Sequence, residues 1–537
     1  MSISLETTKS NTSMAKGIHG HHPGGGGGGH PKVEVVAIPG GEGVTTEELT
    51  GHERELRVSM GVWALLGLSY ANMAPTTAIN GSLSTALNSG GPVAVLWGWF
   101  VVALITCAVA ASLAEMCSAW PHAAGQAFWS YQLAPKGWGP ALSYWTVWTN
   151  ICGGWSLIAA GAYIFASGIL GLVTAYHPDY VQEPYHLVLI YLGCLLVFFL
   201  MNIFLIPILD RMTVTFALVN ISTVVATIIA LAACAPVKST PKFVFSGFIN
   251  ETGWESKGLV FLLGLLQSSF TLIGYDASTH LCEEALDPGR LAPIAILGGV
   301  VIVGIVGFVY IITLLFCIGD IDRVLSTPTF IPVLQIFQDS FGLRGATAAF
   351  GFNLLILGLA CVGIVCATSR AVFAMSRDGG FPLGVVFKRV NHRFQVPMYA
   401  LILQCTVPAI LGLIYLGSTT IFFAFFQLTT VGYLSSYFIP ILLVFLRRDV
   451  LPTAYWRMPT WLARTCNIVA LLYIPFICVL FCIPNFLPVT GSTMNYTSAI
   501  SAVFVLLGTI AWYAEVRRKY KGPASAVHLV DADSDSA

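Results

Sequence analysis

Apolar stretches long enough to cross a bilayer recur along this chain from Met60 to Val516, and they leave few alternatives for its fold. A hydrocarbon core of about 30 Å takes roughly 20 helical residues. Twelve runs reach that length: Met60 to Leu87, Pro92 to Ala119, Ala141 to Leu172, His186 to Leu205, Met212 to Ala235, Gly258 to Cys282, Pro293 to Ile318, Ala346 to Met375, Pro397 to Leu416, Thr419 to Leu446, Cys466 to Ile483 and Thr497 to Val516. Each is continuous, whereas barrel strands would alternate over about ten residues, so the runs read as helices and a porin-like barrel is excluded. Composition agrees, because 56% of residues are hydrophobic and only 10% charged, against about 25% charged in a soluble domain. The expectation is an all-α membrane protein with a membrane domain over residues 60–516.

The flanks carry the charge. Residues 1–59 lack the apolar centre of a signal peptide and hold the tract GHHPGGGGGGH, so a disordered cytosolic tail is expected there. His19, His21, His22 and His30 belong to that Gly-rich composition and read as linker rather than metal site. Basic residues crowd the loops on the side of the N-terminus, from Arg54 and Arg57 to Arg447, Arg448, Arg517 and Arg518. The other side holds only Lys238, Lys242, Lys257, Arg323 and Arg344. The positive-inside rule then places both termini in the cytosol, with 517–537 as a second tail. The sequons at Asn250 and Asn495 fall in the loops this topology puts outside, where a glycan can be attached. The 13 cysteines lie almost entirely inside apolar runs, so no disulfide framework is expected. No metal or cofactor is implied; the net charge of zero says nothing further about partners, while the apolar runs put lipid around the chain, and no nucleic acid is expected.

Two of the runs are interrupted. The first reads LLGLSYANMAPTTAINGSL, where Asn72, Pro75, Thr76, Thr77 and Asn80 break the apolar pattern and Pro75 removes a backbone donor, with Ala74 beside it in the candidate substrate site. The sixth reads LLQSSFTLIGYDASTHLCEE, broken from Gly274 to Ser278. Backbone left unpaired in a bilayer is tolerated only where it lines a cavity or meets a ligand. Paired breaks in corresponding helices are the sequence pointer to a midplane binding site in inverted-repeat transporters. Here five helices per repeat would span about 60–235 and about 258–446, with two further helices over about 463–516. Asp276 is the sharpest residue, because a charge at helix centre costs about 2.5–3.5 kcal/mol even on insertion scales. A ligand ammonium or a coupling proton would account for it. Tyr275 and Trp155 could add cation–π attraction of about 0.5–2 kcal/mol, and Ser278 completes the candidate substrate site. His280 reads as a hydrogen bond to a neighbouring helix or a coupling group, and Glu283 and Glu284 as gate or anchor. Arg370 on the eighth run can reach an inner carboxylate, with Glu115, Glu283 and Glu284 the candidates. No HExxH or GxSxG box is present, and no phosphate loop, which argues against an enzyme or a primary pump.

Four separated motifs carry a resemblance. They are Gly274-Tyr-Asp-Ala-Ser-Thr-His-Leu-Cys-Glu-Glu284, Ala114-Glu-Met-Cys-Ser-Ala-Trp-Pro-His-Ala-Ala-Gly-Gln126, Gly90-Gly-Pro92, and Ser369-Arg-Ala-Val-Phe-Ala-Met-Ser-Arg-Asp-Gly-Gly-Phe-Pro382 followed by Gln395-Val-Pro397. In this order the chain resembles the fungal amino acid, choline and GABA permeases of the amino acid-polyamine-organocation superfamily, over about residues 53–521. The resemblance implies twelve transmembrane helices in a leucine-transporter-type five-plus-five inverted repeat with discontinuous helices 1 and 6. It further implies alternating access and import of a small amino acid or amine such as GABA, choline or a polyamine, coupled to protons rather than sodium; the expected location is the plasma membrane, with the vacuolar membrane as the alternative. A nutrient receptor that keeps the fold but signals without net transport is the alternative. Ala124 and Ile294 depart from the family pattern on the cytosolic side.

Overall fold

The structure, a computed structural model, describes residues 61–204, 206–280, 282, 285–391, 393–394, 396–416, 421–491 and 494–523, without the side chains of 206–214 and 421, and two short strands nearer the N-terminus. The chain divides into residues 1–49 and 50–537. Within the first unit, Val35–Val36 pairs antiparallel with Val44–Thr45. Everything else described below lies in the second.

The first run folds as two helices, α1 (Val62–Met73) and α2 (Pro75–Asn88), and the reason is local. A proline disfavours the helical conformation of the residue before it, and Ala74 sits at φ 36, ψ 62. Pro75 then opens α2 at a position where its missing N–H would have had no partner. Next come α3 (Gly91–Ala119), α4 (Gln126–Leu133), α5 (Gly139–Tyr176), α6 (Pro184–Phe204) and α7 (Ile206–Cys234). The sixth run is also divided, into α8 (Lys257–Thr271) and the single turn α9 (Ala277–His280). Gly274 between them stands at φ +84, a conformation that L side chains rarely adopt. After it follow α10 (Pro288–Phe316), α11 (Pro332–Arg377, kinked at Gly342), α12 (Met398–Leu413), α13 (Ile421–Leu446), α14 (Thr460–Leu480) and α15 (Thr497–Ala511).

Among the described residues, ten helices are long and apolar enough to cross a membrane. The first and sixth runs are absent from that set because each is split into two shorter pieces. The breaks differ slightly from expectation. In the first run the interruption is the single residue Ala74, and Thr76 and Thr77 already belong to α2. In the sixth it lies between Thr271 and Ala277, so Ser278 sits inside α9.

Small residues set the centre of the bundle. α5 packs along α13 and α11, and α3 along α10. Gly153 and Gly432 let α5 and α13 touch backbone to backbone, since a Cβ on Gly432 would lie 2.5 Å from the Gly153 Cα. Such close crossings are how helices associate where lipid offers no hydrophobic drive. Leu104, Leu189, Leu472 and Val479 are exposed on the rim, as suits a surface solvated by lipid.

Candidate functional site

The two breaks face each other across two small chambers that share Asn72, Leu157 and Ile364 in their walls. Each offers about 30 Å³ to a water-sized sphere, room for roughly two water-sized groups. The polar chamber is lined by Asn72, Asn150, Gly274, Asp276, His280 and Tyr433, among others. The other is mostly apolar, with Ala74, Phe270, Leu357 and Cys361 in its wall beside Thr77.

Asp276 is 2% exposed and gathers donors from three other helices. The Gln126 amide of α4 donates to Oδ2 at 2.7 Å and the Asn150 amide of α5 to the same oxygen at 3.0 Å. The Tyr437 hydroxyl of α13 donates to Oδ1 at 2.8 Å. His280, one turn further along its own segment, brings Nε2 to 3.8 Å from Oδ2 and Nδ1 to 2.9 Å from the Ala123 carbonyl oxygen. The main chain closes the turn, with Thr279 Oγ1 donating to the Asp276 carbonyl at 2.6 Å. Close packing seals it: a Cβ on Gly125, at φ +49, would meet Thr279 Oγ1 at 2.9 Å. A carboxylate held by three neutral donors is a preorganised negative centre, because charge-assisted bonds are the stronger kind and fix its orientation.

The break in the first run is satisfied by its own residues. The Ala74 N–H donates to the Tyr70 carbonyl at 3.0 Å, and the Ala74 carbonyl accepts from the Ala78 N–H at 3.1 Å and from Thr77 Oγ1 at 2.9 Å. Further along α2, Asn80 donates to Asn353 Oδ1 at 3.2 Å and accepts from the Tyr310 hydroxyl at 2.7 Å.

Not every expected site residue comes to the chambers. Asn72, Gly274, Asp276 and His280 line the polar one, and Asn72, Ala74 and Thr77 the apolar one. Pro75, Thr76, Tyr275, Ser278 and Trp155 line neither. The Trp155 ring turns toward α15, 6.0 Å from Phe504 and edge-on to Trp148 at 6.2 Å. Tyr275 is 1% exposed and packs against the Tyr437 ring at 5.3 Å. Both rings are engaged in these aromatic contacts. Ser278 Oγ donates to the Tyr275 carbonyl at 3.2 Å, which closes a turn.

Of the acids considered for Arg370, Glu115 is held elsewhere. Its carboxylate forms a two-pronged pair with Arg448, Nη1 to Oε2 at 2.8 Å and Nη2 to Oε1 at 2.5 Å, and accepts from the Met458 N–H at 3.1 Å. Glu283 and Glu284 lie outside the described residues. The two sequons also part company. Asn250 is exposed, with its amide donating to the Trp254 carbonyl at 2.7 Å. Asn495 is buried and its Nδ2 donates to the carbonyls of Phe481 and Ile483 at 2.8 and 2.7 Å, so the folded chain does not present the nitrogen a glycan would use.

Sequence reasoning missed Asn150, Tyr433 and Tyr437, and passed over Gln126 although it closes a motif. Asn150 could have been flagged as an amide inside an otherwise apolar run. The tyrosines carry no such signal.

The helices and their interruptions define a class first, a multi-pass helical membrane protein. The chain belongs to the amino acid permease family, a family of transporters, whose sequence pattern matches residues 60–507; this is consistent with the amino acid-polyamine-organocation superfamily. It is 35% identical over 449 residues to a Macrophomina phaseolina protein with the provisional name amino acid/polyamine transporter, covering 82% of this chain and 98% of the relative. It is 31% identical to a choline transporter of Saccharomyces cerevisiae, over 90% of this chain and 85% of that one. Identity to the amino-acid permease BAT1 of Arabidopsis thaliana is 30%, over 89% and 95%.

Proposed function

We propose that this chain is a secondary active transporter that imports a small amino acid or amine by alternating access, coupled to protons. The carrying observation is Asp276: a buried carboxylate at an interrupted helix, oriented by Gln126, Asn150 and Tyr437, and open to a chamber that the opposite break shares. An ammonium group is the partner such a centre fits, and the adjoining apolar chamber fits a short hydrocarbon tail. The relatives' names, spanning polyamine, choline and amino acid, share that ammonium. In this reading the ten long helices and the two divided ones make twelve spans in a five-plus-five arrangement, with α1–α2 and α8–α9 as the equivalent members. Residues 1–59 and 517–537 are cytosolic tails flanking the transporter domain at the plasma membrane, and Asn250 is the glycan acceptor. His280, with 21% of its side chain exposed against 3% for Asp276, is the member of that pair water can reach, and serves the coupling proton. Arg370 and Glu115 belong to the inner gate.

The test is uptake of radiolabelled GABA, choline, a neutral amino acid and a polyamine into proteoliposomes, at two pH values and with sodium replaced. Concentrative uptake of one class, driven by an imposed pH gradient, is expected. Binding without entry of any compound would instead mark a receptor, and uptake that needs sodium would remove the proton.

A further inference from the structure

Resting on the transporter reading, we propose that the polar chamber selects an ammonium that carries N–H donors, a primary or secondary amine, and rejects a quaternary one. Three observations converge. The first is what the chamber offers. Both N–H bonds of the Asn150 amide are committed, to Asp276 Oδ2 at 3.0 Å and to Ser436 Oγ at 3.3 Å, so the amide presents its oxygen. The Asp276 carboxylate, with about four acceptor sites, has three direct donors and capacity for one more. The wall therefore presents acceptors, which an N–H satisfies and a trimethylammonium group leaves unpaired in a buried place. Sites built to hydrogen-bond an N–H reject the analogue that lacks it far more strongly than apolar pockets reject an extra methyl.

The second observation concerns rings. Quaternary ammonium groups are recognised by aromatic faces grouped around the cation. Besides the imidazole of His280, Tyr433 is the one aromatic side chain among the described residues lining this chamber. Tyr275 packs on Tyr437, and Trp155 on Trp148 and Phe504, so the rings that could have built a cage are turned into the core. The third is size. With room for roughly two water-sized groups, the chamber takes an ammonium but falls short of the four heavy atoms of a trimethylammonium group.

The experiment uses the full chain, purified and reconstituted, with two matched pairs of probes: 4-aminobutyrate against 4-trimethylammoniobutyrate, and ethanolamine against choline. Binding is read by thermal shift and by competition for uptake of whichever labelled compound enters. In each pair the N–H member is expected to act at a concentration at least tenfold lower than its trimethylated partner. Ile364→Ala, which widens a wall without removing a polar group, should shrink that ratio at least threefold. Equal or tighter binding of the quaternary members overturns the selectivity and leaves the transporter reading standing. A ratio that widens in Ile364→Ala overturns its basis in size. No binding or entry by either pair, or by any compound of the uptake panel, removes both.

Discussion

The two interrupted helices are solved in opposite ways. At Ala74 the interruption is one residue long, and its polar backbone is satisfied by Tyr70, Thr77 and Ala78 within the same run. At Gly274–Asp276 it spans several residues, leads into a helix of a single turn, and is pinned from outside by α4, α5 and α13. A break closed by its own neighbours can shift as one body with its helix. A break held by side chains of other helices ties the movement of those helices to the state of one carboxylate. The sixth run thus brings three other helices to one carboxylate, and the first run supplies the facing wall.

The comparison breaks first at Asp276. Asp276→Asn keeps the shape, loses the charge and turns a donor toward groups that already donate. Hydrogen bonds to a charged group contribute about 1.5–3 kcal/mol each, so disturbing three should lower uptake by about a hundredfold or more, at unchanged surface level. Near-normal uptake in cells whose surface protein has been quantified would show that the sixth-run carboxylate only holds the fold together.

Next are its holders. Gln126→Leu and Asn150→Leu each remove one donor to Asp276, the latter also the bond to Ser436, and about 1.5–3 kcal/mol corresponds to a rise of about ten- to hundredfold in apparent KM. Each should be strongly non-additive with Asp276→Asn in a double-mutant cycle, because the residues act through one carboxylate. Additive losses would mean that these amides serve separate purposes.

A milder effect belongs to the first run. Thr77→Val removes the hydroxyl bond to the Ala74 carbonyl, a neutral bond contributing about 0.5–1.5 kcal/mol, while the backbone pairing of the break persists. Uptake should fall less than tenfold, with KM moving less than in Gln126→Leu. If Thr77→Val proves the more damaging of the two, the first-run break is not self-sufficient.

The smallest effect is expected at Trp155. Trp155→Phe keeps an aromatic ring against Trp148 and Phe504 and should leave KM within twofold of the original, measured on the same substrate as the other variants. A large rise in KM would place that indole against the ligand and reverse its assignment to the core.

How much of this could be read from residues alone differs from place to place, for physical reasons. Pro75 dictates a break before it by sterics acting over one residue, and Gly274 allows another by lacking a Cβ, so both interruptions were legible. The length of the apolar runs fixed the helices against a 30 Å core, and the penalty for a charge there singled out Asp276. What stayed hidden depends on which faces meet. Gln126 and Tyr437 reach Asp276 from 150 and 161 residues away, and Arg448 reaches Glu115 from 333. In a run that is apolar all round, no periodic stripe says which side turns inward, so Tyr437 in the site and Trp155 outside it look alike as letters. Their directions are decided by how α5, α13 and α15 pack against one another, where a close glycine crossing such as Gly153 on Gly432 sets the rotation of each helix; only the assembled bundle contains that information.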